Sequence, residues 1–107
     1  MERIVPGLVE NQDVDKILEA RGKVYGSFGE GIRAEATILQ VLENLYLLNN
    51  NKPMPNLHRS YLFRIIIKLS RLGVSPEHLD SWKDIEGYAK LTYNDIVENT
   101  DAKNTSV

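Results

Sequence analysis

Between Asn56 and Leu72 apolar side chains recur every three or four residues, at Leu57, Tyr61, Leu62, Ile65, Ile66, Leu69 and Leu72. That period is the repeat of an α-helix with one buried face. The run Ile65-Ile66-Ile67 would by side-chain type suit a strand, because β-branched residues lose rotamer freedom in a helix. The period on both sides of it and the length of the segment decide for helix. Pro53 and Pro55 keep the helix from starting earlier, and Gly73 is its expected stop.

The same reading divides the rest of the chain. Val14, Ile17 and Leu18 define a short helix from Asp13 to Arg21, with Gly22 as a left-handed cap. Ser27-Phe28-Gly29-Glu30 has capping-box spacing and opens a longer helix to about Leu48, with Ile38, Val41, Leu42, Leu45 and Leu48 as its inner stripe. Asn49 to Pro55 forms the loop to the third helix. After Ser75-Pro76, Asp80 or Ser81 caps a last helix to about Val97, with Trp82, Ile85, Ala89, Thr92 and Ile96 inward. The expectation is an all-α fold, a compact bundle of about four helices over residues 12–98, between flexible segments 1–11 and 99–107. About 80–90 residues are then left to build a core, which is marginal, so a homo-oligomer is expected.

Composition excludes several classes of function. There is no cysteine, which removes disulfides, zinc–thiolate sites, iron–sulfur clusters and cysteine nucleophiles, and suits a reducing cytosol. A formal net charge of −2 does not favour strong binding to duplex nucleic acid. Arg64, Lys68 and Arg71 interrupt the longest apolar run, leaving no stretch suited to a membrane span, and the N-terminus has no secretory apolar run.

Charge is distributed unevenly between the last two helices. The third carries His58, Arg59, Arg64, Lys68 and Arg71 without an acid, whereas Glu77 to Glu98 contains six acids and two lysines. Arg64, Lys68 and Arg71, spaced by four and three, share one helical face. They can converge on phosphate oxygens, pair with the acids of the last helix, or face water. Asp80 and Asp84, one turn apart, can share magnesium, and they can equally serve the start of a helix.

Arg21-Gly22-Lys23-Val24-Tyr25-Gly26-Ser27-Phe28-Gly29-Glu30-Gly31 joins the first two helices with four glycines and two cations. Amides at the start of a helix bind anions, Arg21 and Lys23 add charge, and Tyr25 offers a ring for stacking. Alternatively the glycines are caps and turns. The Gly-Lys-Ser/Thr ending of a Walker loop is missing. His58 and His78 read as ordinary polar residues, Trp82 as a core anchor, and Gly87 as a site of close helix or ligand approach.

Three motifs taken together, Arg21-Gly22-Lys23-Val24-Tyr25-Gly26, Lys68-Leu69-Ser70-Arg71 and Asp80-Ser81-Trp82-Lys83-Asp84-Ile85-Glu86-Gly87-Tyr88-Ala89, resemble a family of small phage and prophage proteins of undefined function. The resemblance spans about Val14 to Thr92. The layout is also similar, more distantly, to phage nucleotide-modification-associated domains and to the all-α nucleoside triphosphate pyrophosphatases of the MazG type. Those enzymes bind magnesium through an E-E-x-x-E helix, which this chain lacks: its second helix offers Glu30, Glu35 and Glu43.

What the resemblance implies is a nucleotide or nucleotide-derived ligand in the host-cell cytosol, held by Arg21, Lys23, Tyr25, Arg64, Lys68 and Arg71. Such a protein would serve nucleotide metabolism or sequester a host defence signal. One alternative is a magnesium-dependent nucleotide pyrophosphohydrolase using Asp80 and Asp84, with Glu35 or Glu43. Another is a helical protein-interaction module without enzymatic activity.

Overall fold

A computed structural model describes the backbone of residues 6–105 and the side-chain environments of residues 13–100. Four helices make up the described chain: α1 (Pro6–Tyr25), α2 (Phe28–Asn50), α3 (Asn56–Val74) and α4 (Leu79–Thr105), with no strand among the described residues. The fold is the expected all-α bundle, drawn out to 68 × 29 × 28 Å. α3 is its centre. It packs along α2 on one side and α4 on the other, and α1 rests on α3 and α2.

Polar pairs fix both hairpins as antiparallel. Arg59 Nε lies 2.5 Å from Glu43 Oε2, and Ser70 Oγ donates to Glu35 at 3.0 Å, so α2 runs against α3. On the other side Lys68 pairs with Asp84, and the Tyr61 hydroxyl donates to Asp95, so α4 does the same. Short connections favour this arrangement in helical bundles.

The helix ends differ from the sequence reading where tertiary contacts or proline intervene. α1 starts at Pro6, a residue whose locked φ and missing N–H suit the first helical position, rather than near Asp13. It also passes through Gly22 to Tyr25. The left-handed glycine is Gly26, at φ +82°, whose N–H donates to Gly22 O at 2.9 Å. The extra turn is held from outside the helix, because Ser75 Oγ donates to the Val24 carbonyl.

α2 begins as expected at Ser27, whose Oγ accepts the Glu30 amide at 3.3 Å, and it ends at Asn51 in a left-handed conformation. α3 continues past Gly73 to Val74, with Ser75 as its C-cap. α4 starts at Leu79, so Asp80 and Ser81 lie inside the helix instead of capping it, and it runs on to Thr105. The expectations for residues 1–5, 106 and 107 lie outside the described residues.

The buried apolar set is small among the described residues: Met54, Ile66 and Leu72, of which Ile66 alone is fully buried, with Ser81 the one buried polar side chain. Two inner faces are rotated from those expected. α4 turns Ser81, Ile85, Tyr88, Thr92 and Asp95 toward α3: Ile85 and Thr92 face inward as expected, whereas Ser81, Tyr88 and Asp95 take the inner positions expected of Trp82, Ala89 and Ile96, each one residue further along. Trp82 is 51% exposed and gives its indole N–H to the Pro76 carbonyl at 2.9 Å, so it is not a core anchor. On α2, Ile38 and Leu42 are half-buried while Val41, Leu45 and Leu48 are exposed. Gly87 makes no close approach, since a Cβ there would meet nothing within 4 Å.

Candidate functional site

Among the described residues the basic and acidic helices meet through one ion pair. Lys68 Nζ sits 2.9 Å from Asp84 Oδ2, with the Lys68 side chain only 14% exposed. The hydrogen bond from Lys68 holds the Asp84 carboxyl below the usual carboxylate range, and the charges of Lys68, Arg71 and His78 act in the same direction against partial desolvation. One turn further along α3, Arg71 turns toward α1. Its guanidinium carbon stands 4.5 Å from the centre of the Tyr25 ring, a cation–π contact. His78 meets the same ring edge-on at 5.3 Å and exchanges a 2.9 Å hydrogen bond with the buried Ser81 hydroxyl.

Beside this cluster opens a cleft of about 390 Å³ between the end of α1, the start of α2 and the last turns of α3. Arg21, Tyr25 and Arg71 line it together with Phe28, Glu35 and Ser70. Gly22, Gly26 and Gly31 also border it, so the backbone comes close to the space. On its other side Gly26 packs against the end of α3, where a Cβ would come within 2.9 Å of Val74 Cγ2. Two guanidinium groups face one carboxylate in the cleft, and that carboxylate, Glu35, already accepts the Ser70 hydroxyl. Neither Arg21 nor Arg71 is in an ion pair among the described residues. The volume falls within the range of small-molecule clefts.

The six candidate ligand-binding residues therefore divide. Arg21, Tyr25 and Arg71 share the cleft. Lys23 is exposed outside its lining. Lys68 is engaged by Asp84. Arg64 lies over the Tyr88 ring at 5.7 Å, beside two other hollows, one of about 490 Å³ between α2 and α3 and one of about 360 Å³ between α3 and α4. Of the carboxylates considered for magnesium, Asp84 pairs with Lys68, Glu43 with Arg59 and Glu35 with Ser70, and Asp80 is exposed. No group of three or more metal-ligating side chains converges among the described residues.

Sequence reasoning missed three members of this region. His78 read as surface because nothing in its spacing predicts that the loop after α3 folds back against Tyr25. Phe28, 83% exposed at the mouth of the cleft, was only a filler position in a capping box. Ser70, inside the K-x-x-R motif, reaches Glu35 only because the α2–α3 hairpin sets them side by side.

No protein-family model matches the chain, and neither a curated protein nor a solved structure is significantly similar to it. No helix among the described residues is long and apolar enough to cross a membrane.

Proposed function

We propose that this chain is a binding protein for a phosphorylated small molecule with a planar ring, a nucleotide or nucleotide-derived ligand, held in the Arg21–Tyr25–Arg71 cleft. The observation that carries the reading is that two guanidinium groups without an ion-pair partner among the described residues, and an aromatic ring, contributed by α1 and α3, line one cleft of about 390 Å³. Planar guanidinium forks match phosphate oxygens in geometry and charge. Tyr25, already ordered by Arg71 and His78, together with the exposed Phe28, supplies faces for a base. Given the phage resemblance, the protein would act in nucleotide metabolism or in withdrawing a host defence signal.

Isothermal titration against mononucleotides, dinucleotides and cyclic nucleotides, with and without magnesium, tests the proposal. Charge-assisted hydrogen bonds contribute roughly 1.5–3 kcal/mol each, so Arg21→Ala and Arg71→Ala should each weaken binding about tenfold or more. Lys68→Ala, outside the cleft, should bind like the unaltered chain. Heat signals absent across the whole panel, or unchanged in both arginine variants, would sink the reading. Product formation in the magnesium arm would point instead to a pyrophosphohydrolase, for which no arrangement of carboxylates speaks.

A further inference from the structure

We infer that a second copy of this chain covers a broad apolar face formed by α2, α3 and α4 on the side of α3 turned away from Arg71. On α2, Ala34, Ile38, Val41, Leu45 and Leu48 follow one another at spacings of four, three, four and three, the pattern of a helix–helix seam. Val41, Leu45 and Leu48 of that seam are 59, 56 and 82% exposed.

Helical geometry brings the neighbouring stripes to the same side. On α2 the seam residues from Ala34 to Leu45 each come one before a half-buried residue, Val41 before Leu42 and Leu45 before Tyr46. On α4 each exposed stripe residue comes one after, Trp82 after Ser81, Ala89 after Tyr88 and Ile96 after Asp95. Successive residues differ by about 100° around a helix axis. Because α2 and α4 both run antiparallel to α3 and flank it on opposite sides, these opposite rotations turn both stripes the same way. Leu62 and Leu69 of α3 fill the strip between them, and Leu69 points nearly opposite to Arg71, two positions on.

Area and charge identify the occupant. The accessible surface is 8503 Å². A compact monomer of 12.2 kDa exposes about 6,100 Å², leaving an excess of about 2,400 Å². A standard interface removes about 800 Å² from each partner, less than the surplus carried by the chain as a whole. A chain with three buried apolar side chains among its described residues needs this cover whenever it is folded, and only its own copies are always present in proportion. The stripes contain no Asp, Glu, Lys or Arg, so a two-fold contact of the patch with itself meets no like-charge repulsion.

The face lies away from the cleft, so the test is independent of ligand binding. Light scattering on the purified full chain should give at least twice 12.2 kDa, and its melting temperature should fall on dilution. The chain has no cysteine, so single cysteines can be placed at Leu45, Leu69 or Ala89 on the face and at Ser60 or Lys90 off it. A short bismaleimide should link face variants into dimers and leave the other two as single chains. A helical monomer whose melting temperature does not depend on concentration overturns the inference, and so does crosslinking through Ser60 or Lys90 in preference to the face.

Discussion

Lys68 and Asp84 are each other's partner, 2.9 Å apart across the α3–α4 contact, with the lysine largely covered and the carboxylate half-exposed. The two residues came from separate motifs, one read for phosphate and the other for magnesium. Joined, they pin α4 against α3 one turn from where Arg71 leaves for Tyr25. The pair fixes α4 against α3, and neither Arg21 nor Arg71 of the cleft takes part in it.

Acid should expose this role. The Asp84 carboxyl is held below its ordinary range, first by the Lys68 hydrogen bond and then by the charges of Lys68, Arg71 and His78. A depressed native pKa gives stability that is fully present above the unfolded carboxylate range and is lost as pH falls through the native value. Melting curves from pH 7 downward should therefore show Asp84→Asn less stable than the parent at neutral pH, with the two converging below the usual carboxylate range. A gap that stays constant throughout the acid series would mean that the ion pair does not contribute.

Tyr61 should behave in the opposite sense. Its hydroxyl donates to Asp95, and this bond, with partial desolvation and the Asp95 charge, raises its pKa above 10. Stability from a raised group is complete below the unfolded value and is lost as pH rises through the native one. In an ultraviolet titration, Tyr61→Phe should remove a step lying above the ordinary tyrosine range, and Asp95→Asn should move that step down.

Two glycines should respond to alanine with opposite signs. Gly26→Ala places a side chain at φ +82° and within 2.9 Å of Val74, and the backbone penalty alone is about 1–2 kcal/mol. Gly87→Ala fills open space on a helical turn and should stabilise by about 0.5–1 kcal/mol. Each kcal/mol moves the melting temperature of a domain near this size by about 4–8 °C, well within the reach of calorimetry.

Ser27→Ala removes the acceptor for the Glu30 amide at the start of α2 and should cost about 1 kcal/mol. Since Ser27 borders the cleft, binding in that variant should be measured well below its lowered melting temperature. Ser27→Asp keeps an acceptor at the cap and should restore most of the stability. Failure of aspartate to restore it would mean that the hydroxyl serves something other than the cap.

Much of the fold was legible in sequence because it is written in local periodicity. The three-to-four repeat from Leu57 to Leu72, the Ser27 cap and the prolines before Asn56 act through the backbone of their own segment, and α2 and α3 stand where these signals place them. Helix ends held by distant groups were not legible. α1 outruns Gly22 with Ser75, more than forty residues away, bonded to its last turn.

For the candidate site the division is sharper. Sequence by itself determined which side chains were available: the cations at 21, 23, 64, 68 and 71, the acids at 80 and 84, and the ring at 25. A helix face narrows where each can point, but it does not say what stands opposite. Only the antiparallel packing of α4 on α3 decided that Lys68 would spend its charge on Asp84. Only the docking of α1 decided that Arg71 would turn to Tyr25 and share a cleft with Arg21. Charge is a property of the residue, whereas pairing depends on a distance of a few ångströms between segments far apart in the chain, and that distance exists only once the helices have packed.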